Sequence, residues 1–165
     1  MARRKNASYT GKPLHSGGTR ALVDAFYNNI GRYFPGNEPV PIPPPESVRP
    51  MHDAQTQALI FADYAVRKFA PILFEAAGNK TEATKLRKLP KIVDVATATK
   101  AIEADVDHNL ADDAITYAIG YSHGGFVRSP DPQRAAHAAA GVAIEAARFN
   151  PDDAWAAVTE MLAAL

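Results

Sequence analysis

A chain of 165 residues, 47% apolar and 22% charged, suits one globular domain that buries a core without help from metals or disulfides. Its formal net charge is zero and it has no cysteine, which excludes a disulfide framework, a thiolate zinc site and a cysteine nucleophile together. No apolar run reaches the roughly 18 residues of a membrane-spanning helix, and the basic start "MARRKNASYTGKP" lacks the apolar stretch of a secretory signal. The expected setting is therefore cytoplasmic, or within a larger assembly, with no membrane partner.

The charge is unevenly spread. Residues 1–50 hold seven Lys/Arg against three Asp/Glu, whereas residues 106–165 hold three against eight. A basic front and an acidic back favour head-to-tail contacts between copies, or separate docking surfaces. A neutral chain with one short basic tip has a poor electrostatic footprint for nucleic acid.

In chain order, "MARRKNASYTGKPLHSGG" is polar and breaks at Gly17-Gly18. Thr19 can cap a short helix over about residues 20–34, where Leu22, Phe26, Ile30 and Phe34 recur at helical spacing. Six prolines follow between Pro39 and Pro50, which predicts a stiff, extended polyproline segment. Residues 1–49 thus read as an arm containing one helix, and residues 50–165 as a helical domain.

From Pro50 onward the periodicity is helical. Ala58, Ala62, Ala65, Phe69, Ile72 and Ala76 form a buried stripe, interrupted at Pro71, where a bend is expected. Gly78 suits a helix C-terminus. "NKTEATKLRKL" reads as a basic exposed turn or helix, and "KIVDVAT" as the start of a helix with a strand as the competing assignment. A helix is expected over 109–121, and "SPDP" supplies the start of "QRAAHAAAGVAIEAARF". That helix carries eight alanines and one glycine, so neighbours can approach it closely and it should be central. Asn150-Pro151-Asp152-Asp153 is the strongest helix start in the chain. The expected class is all-α, a compact bundle of about five or six helices with an extended proline-rich arm.

Four groups of residues invite chemistry. "GYSHGG", residues 120–125, fits the G-x-S-x-G nucleophile elbow, with Ser122 as the candidate catalytic serine. An elbow needs a strand before it and a supporting helix after it. Helical segments lie ahead, and Pro130 and Pro132 interrupt the far side, so a glycine-terminated helix is preferred. In "EADVDHNLADD", Glu103 with Asp107, or His108 with Asp112, would be i,i+4 metal-ligand pairs on one continuous helix. The competing reading makes these residues caps and first-turn acids between two helices. His52-Asp53 matches the core of metal-dependent HD phosphohydrolases, but His15 is the only histidine upstream, and Asp53 suits a helix N-terminus. Finally, Lys80, Lys85, Arg87, Lys88 and Lys91 form a basic cluster without interleaved aromatics. It reads as a solvated surface or a dock for an acidic protein, and Lys85, Arg87 and Lys88 from it, with Arg3, Arg4 and Lys5, are the expected interaction residues.

The stretch "ALIFADYAVRKFAPILFE" resembles the opening helix of a family of immunity proteins from bacterial polymorphic-toxin systems, through Ala58, Leu59, Ala62, Asp63, Ala65, Phe74 and Glu75. The motif's tryptophan and cysteine are absent here. The resemblance implies an alanine-rich helical fold over residues 52–165 and a toxin-inhibiting role. The residues themselves point first to a non-enzymatic interaction or assembly component whose N-terminal arm packs on a protein partner or a second copy. Toxin inhibition is the second reading and a Ser122 hydrolase the third, with no cofactor and no small-molecule substrate expected.

Overall fold

A computed structural model describes residues 19–33, 40–104, 106, 108–119 and 131–165. Among them every regular element is helical, as the periodicity requires. The helices are α1 (Ala21–Tyr33), α2 (Ala54–Tyr64), α3 (Ala70–Ala76), α4 (Lys80–Arg87), α5 (Val95–Glu103), α6 (Asn109–Ile119), α7 (Pro132–Phe149) and α8 (Pro151–Ala164). The chain runs helically from α2 into α3, and α4 takes the helix of the turn-or-helix expectation, so the described residues form seven helical runs, one more than the expected range.

Helix α7 is the centre. It packs against α1, α2, α3, α6 and α8, and its small side chains permit this. Ala135, Ala136, Ala139, Ala140, Ala143 and Ala146 are wholly buried. Gly141 allows the closest approach, because a Cβ placed there would lie 2.9 Å from Cδ1 of Leu110 on α6. Asp131 caps α7 by accepting from the Arg134 amide, and Asn150 caps α8 by accepting from the Asp153 amide at 3.2 Å.

Helix α1 departs most from the sequence expectation. Thr19 caps it, its hydroxyl accepting from the Ala21 amide at 3.1 Å. The helix does not stand apart in an arm, because Leu22, Val23, Phe26 and Ile30 are buried in the common core. Phe26 stacks on Phe61 of α2 with ring centroids 5.5 Å apart. Helix α1 also holds down the proline-rich segment. The Arg20 guanidinium donates to the carbonyls of Val48 and Pro45, each at 2.8 Å, and the Tyr27 hydroxyl donates to the Pro43 carbonyl. Prolines have no N–H to offer, so a proline-rich strand is fastened through its carbonyls. Pro44 has the expected polyproline dihedrals, φ −66° and ψ 150°, before the 3₁₀ turn Pro45–Ser47. Val40 and Ile42 pack on the core and Val48 is buried in it. Residues 40–50 are a strap on their own domain.

Pro71 is accommodated without ending the helix. A π-helical turn, Ala65–Phe69, precedes it, and α3 begins at Ala70 with the proline in its first turn. Widening the turn relieves the conflict between the proline ring and the carbonyl four residues earlier, and it absorbs the missing N–H. The stripe stays buried from Ala58 through Ala62, Ala65, Phe69 and Ile72, but Ala76, in the last turn of α3, is exposed, against the expectation for it. Gly78, at φ +83°, then closes α3. Its amide donates to Glu75 and the Asn79 amide to Phe74, the paired bonds of a Schellman ending. Asn79 in turn caps α4, accepting from the Glu82 amide.

The strand competing at "KIVDVAT" does not form. Asp94 and Thr97 make a capping box, the Thr97 amide donating to the Asp94 carboxylate at 2.8 Å and the Asp94 amide to the Thr97 hydroxyl at 3.1 Å. This reciprocal satisfaction of end groups outweighs the β-propensity of the valines. At the other edge of the domain, the Met51 and His52 amides both donate to the Leu165 carbonyl oxygen at 2.9 Å.

Candidate functional site

Ser122, Asp107, Arg3, Arg4 and Lys5 lie outside the described residues. The segment leading to Ser122 is helix through Ile119, where a nucleophile elbow requires a strand. Asp53 is the N-cap of α2, its carboxylate accepting from the Thr56 amide at 2.9 Å, which gives the acid of the His52-Asp53 pair a structural role.

"EADVDHNLADD" is not one helix. Helix α5 ends with Ala104 as its C-cap, Val106 is non-helical, and α6 starts at Asn109. Glu103 is exposed, while His108 turns toward α7, its Nε2 lying 3.4 Å from Oε1 of Glu145. The two i,i+4 pairs therefore lack the continuous helix that motivated them. Among the described residues no three His, Asp or Glu side chains converge as a metal site.

The basic cluster sits on α4 and the connection to α5. Arg87 is tied to Glu75 of α3 by two hydrogen bonds, at 2.7 and 2.9 Å, which hold the Glu75 carboxyl below the usual range. Lys85 lies 3.6 Å from Glu82. Lys88 and Lys91 are exposed and make no ion pair among the described residues. Beside them Val93 is 58% and Val95 52% exposed, the two valines flanking the capped start of α5.

Two clefts complete the chemically interesting surface. The first, of about 380 Å³, opens between the π turn, α4 and α8, with Arg67, Lys68, Arg87, Asp153 and Glu160 around it. Most of its charges are already used. Arg67 donates Nε–H and Nη2–H to Asp63 at 2.6 and 3.1 Å. Asp63, 1% exposed, also accepts from the Ile92 amide at 2.8 Å. The bond to Asp63 raises Arg67 further above its ordinary value. Tyr64 is pushed up to about 12, first by burial and then by the neighbouring Glu160 and Asp63 carboxylates.

The second cleft lies between α1, α6 and α7 and has two lobes of about 460 Å³ each. Asn29, Gln133 and His137 line both lobes; Asp113, Tyr117 and Arg134 belong to one, and Asp24 and Asn28 to the other. Two bonds set its position. The Gln55 side chain donates to the Ala118 carbonyl, and the Asp131 amide donates to the Tyr117 carbonyl at 3.2 Å, so the free end of α6 is stitched to α2 and to the start of α7. The Arg134 guanidinium sits 5.3 Å from the centroid of the Tyr117 ring, donates to its hydroxyl, and pairs with Asp131 at 3.1 Å.

The remaining groups of this cleft are open. Asn29 is only 6% exposed, yet its side chain makes no hydrogen bond among the described residues. Asp113, at the rim, has no cationic partner among them, and partial desolvation alone raises its carboxyl above the usual range. The sequence carried one signal of this cleft. Asn29 falls on the buried face of α1, three residues after Phe26, where an apolar residue would be expected. Asp113 and Gln133 gave no such sign.

Compared with known proteins, the chain matches no family model, no curated protein and no solved structure.

Proposed function

We propose that this chain is a non-enzymatic, helical interaction component of a larger protein assembly, and that the outer face formed by α4 and the start of α5 docks an acidic partner surface. The observation that carries this reading is the exposure of Val93 and Val95 beside Lys88 and Lys91. Isolated exposed apolar residues are ordinary, but two valines within three positions, rimmed by lysines that pair with nothing described, form an apolar centre with a basic edge. Lys85 and Arg87 extend that edge, held in place by Glu82 and Glu75. The acidic C-terminal part of the chain, residues 106–165, gives a second copy the charge such a face would meet.

In this reading the arm that reaches a partner is residues 1–18, with Arg3, Arg4 and Lys5, because α1 and residues 40–50 are engaged on their own domain. The test compares sedimentation of the full chain, of a chain starting at Thr19, and of a Lys88→Glu/Val95→Ser double variant. The expected result is a concentration-dependent mass that both changes reduce, more steeply at high salt for the full chain. Identical mass, together with identical recovery of co-purifying protein in all three, would sink the proposal.

A further inference from the structure

We infer that the two-lobed cleft between α1, α6 and α7 is a binding site for a basic side chain carried on a peptide, with Asp113 as its counter-ion and the Asn29 and Gln133 amides as partners of the peptide backbone. This is a different surface from the α4–α5 face and does not depend on it.

Asn29 is enclosed as a residue, 6% exposed, but its amide atoms are not among the fully buried ones that lack a partner, so they still meet the solvent of the cleft. A ligand group that replaces this water can keep the hydrogen bonds of the amide. Here the amide lines both lobes and is unpaired. Gln133, exposed on α7 across the same lobes, also makes no hydrogen bond among the described residues. Two amides, each both donor and acceptor, match a peptide's own alternation of N–H and C=O groups. A site for a simple anion or a hard cation would present donors alone or oxygens alone.

Charge selects the side chain. Arg134 is the one arginine or lysine among the described residues lining the cleft, and it is engaged by Asp131 and the Tyr117 ring. Of the carboxylates around the cleft, Asp131 is paired with Arg134 and Asp24 lies 3.7 Å from Arg20, which leaves the Asp113 carboxylate without a cation among the described residues. The wall beside it, Leu110 and Ala138, is apolar and suits the methylene stem of arginine or lysine, whose charged end would then reach Asp113. Leu110 can form that wall because Gly141 lets α6 lie against α7. Arg134 over Tyr117 already shows a guanidinium accommodated at this end of α6.

The experiment titrates the full chain with acetyl-Gly-Arg-Gly amide and with its citrulline counterpart, which keeps the shape and removes the charge, by isothermal calorimetry. Saturable binding of the arginine peptide is expected, weakened about tenfold or more for citrulline and in Asp113→Asn, the loss of one charge-assisted contact. Gln133→Ala, a surface change that leaves the fold intact, is expected to weaken binding by a smaller factor. Arginine binding that is absent, or equal to citrulline binding, overturns the proposal, as does Asp113→Asn binding unchanged while its circular dichroism matches the parent. Binding of free acetyl-arginine amide as tight as that of the peptide would remove the peptide from the proposal and so also count against it.

Discussion

Each lobe of the α1–α6–α7 cleft is close in size to the whole cleft of α4 and α8, and both clefts are lined by charge, yet they are built differently. Around the cleft of α4 and α8, Arg67 is closed on Asp63, Arg87 on Glu75 and Asp153 on the Asn150 cap. Across the domain, the α1–α6–α7 cleft leaves Asp113, Gln133 and the buried Asn29 without partners among the described residues. Volume alone does not separate the two. Completed pairing marks charge that holds elements together, and incomplete pairing marks groups that something else can satisfy.

The sharpest way to break this distinction is Asp63→Leu. Asp63 joins the π turn to the connection before α5, and removing it strands the Arg67 guanidinium and the Ile92 amide in a buried place. The expected loss is about 3–5 kcal/mol, read as a fall in the urea midpoint at unchanged slope. A change below 1 kcal/mol would mean that this cleft is not structural after all. A smaller effect is expected at the rim of the same cleft. Asn150→Ala removes the cap of α8 and the bond that holds Asp153, costing about 1 kcal/mol in thermal or urea unfolding.

Glu75→Gln should cost less, about 0.5 kcal/mol, because both partners are substantially exposed to water. Its sign with pH is fixed by direction. The Arg87 guanidinium lowers the Glu75 carboxyl in the folded state, so the pair contributes fully above the ordinary carboxylate value. That contribution disappears as pH falls through the lowered value. Parent and variant unfolding curves should therefore converge in acid, and divergence there would contradict the pairing.

Much of the bundle was legible because its signals are local. Thr19, Asn150 and the alanine content of α7 announce two helix starts and the central helix within a few residues of sequence. What was not legible is tertiary. Pro71 signals a break, but whether a helix bends or widens by a π turn depends on what is packed around Phe69 and Val66, both wholly buried. Helix α1 read as part of an arm because the prolines separate it from the main run. Its place in the core rests on Leu22, Val23, Phe26 and Ile30 meeting α2 and α7, and Arg20 and Tyr27 reach carbonyls 16 to 28 residues away to fasten the prolines to it. The open cleft draws on three helices, and only the misplaced polarity of Asn29 hinted at it.

The smallest effect on stability tests the comparison most directly, because its sign is opposite to the others. Desolvation raises the Asp113 carboxyl with no cation to offset it, so the folded state prefers that group protonated. Relative stability from this group is full below the ordinary aspartate value and is lost as pH rises through the raised one. Asp113→Asn should thus leave the melting temperature at pH 7 unchanged or slightly higher, with the difference closing in acid. The same change should weaken binding of a basic peptide about tenfold or more, which separates it from a merely structural residue. Acidification should weaken that binding in the parent as Asp113 on α6 takes up a proton. The other titratable groups facing the cleft are Asp24 on α1, Asp131 paired with Arg134, and His137 on α7. A parent protein whose peptide affinity is flat from pH 7 to pH 4 would place Asp113 outside the site.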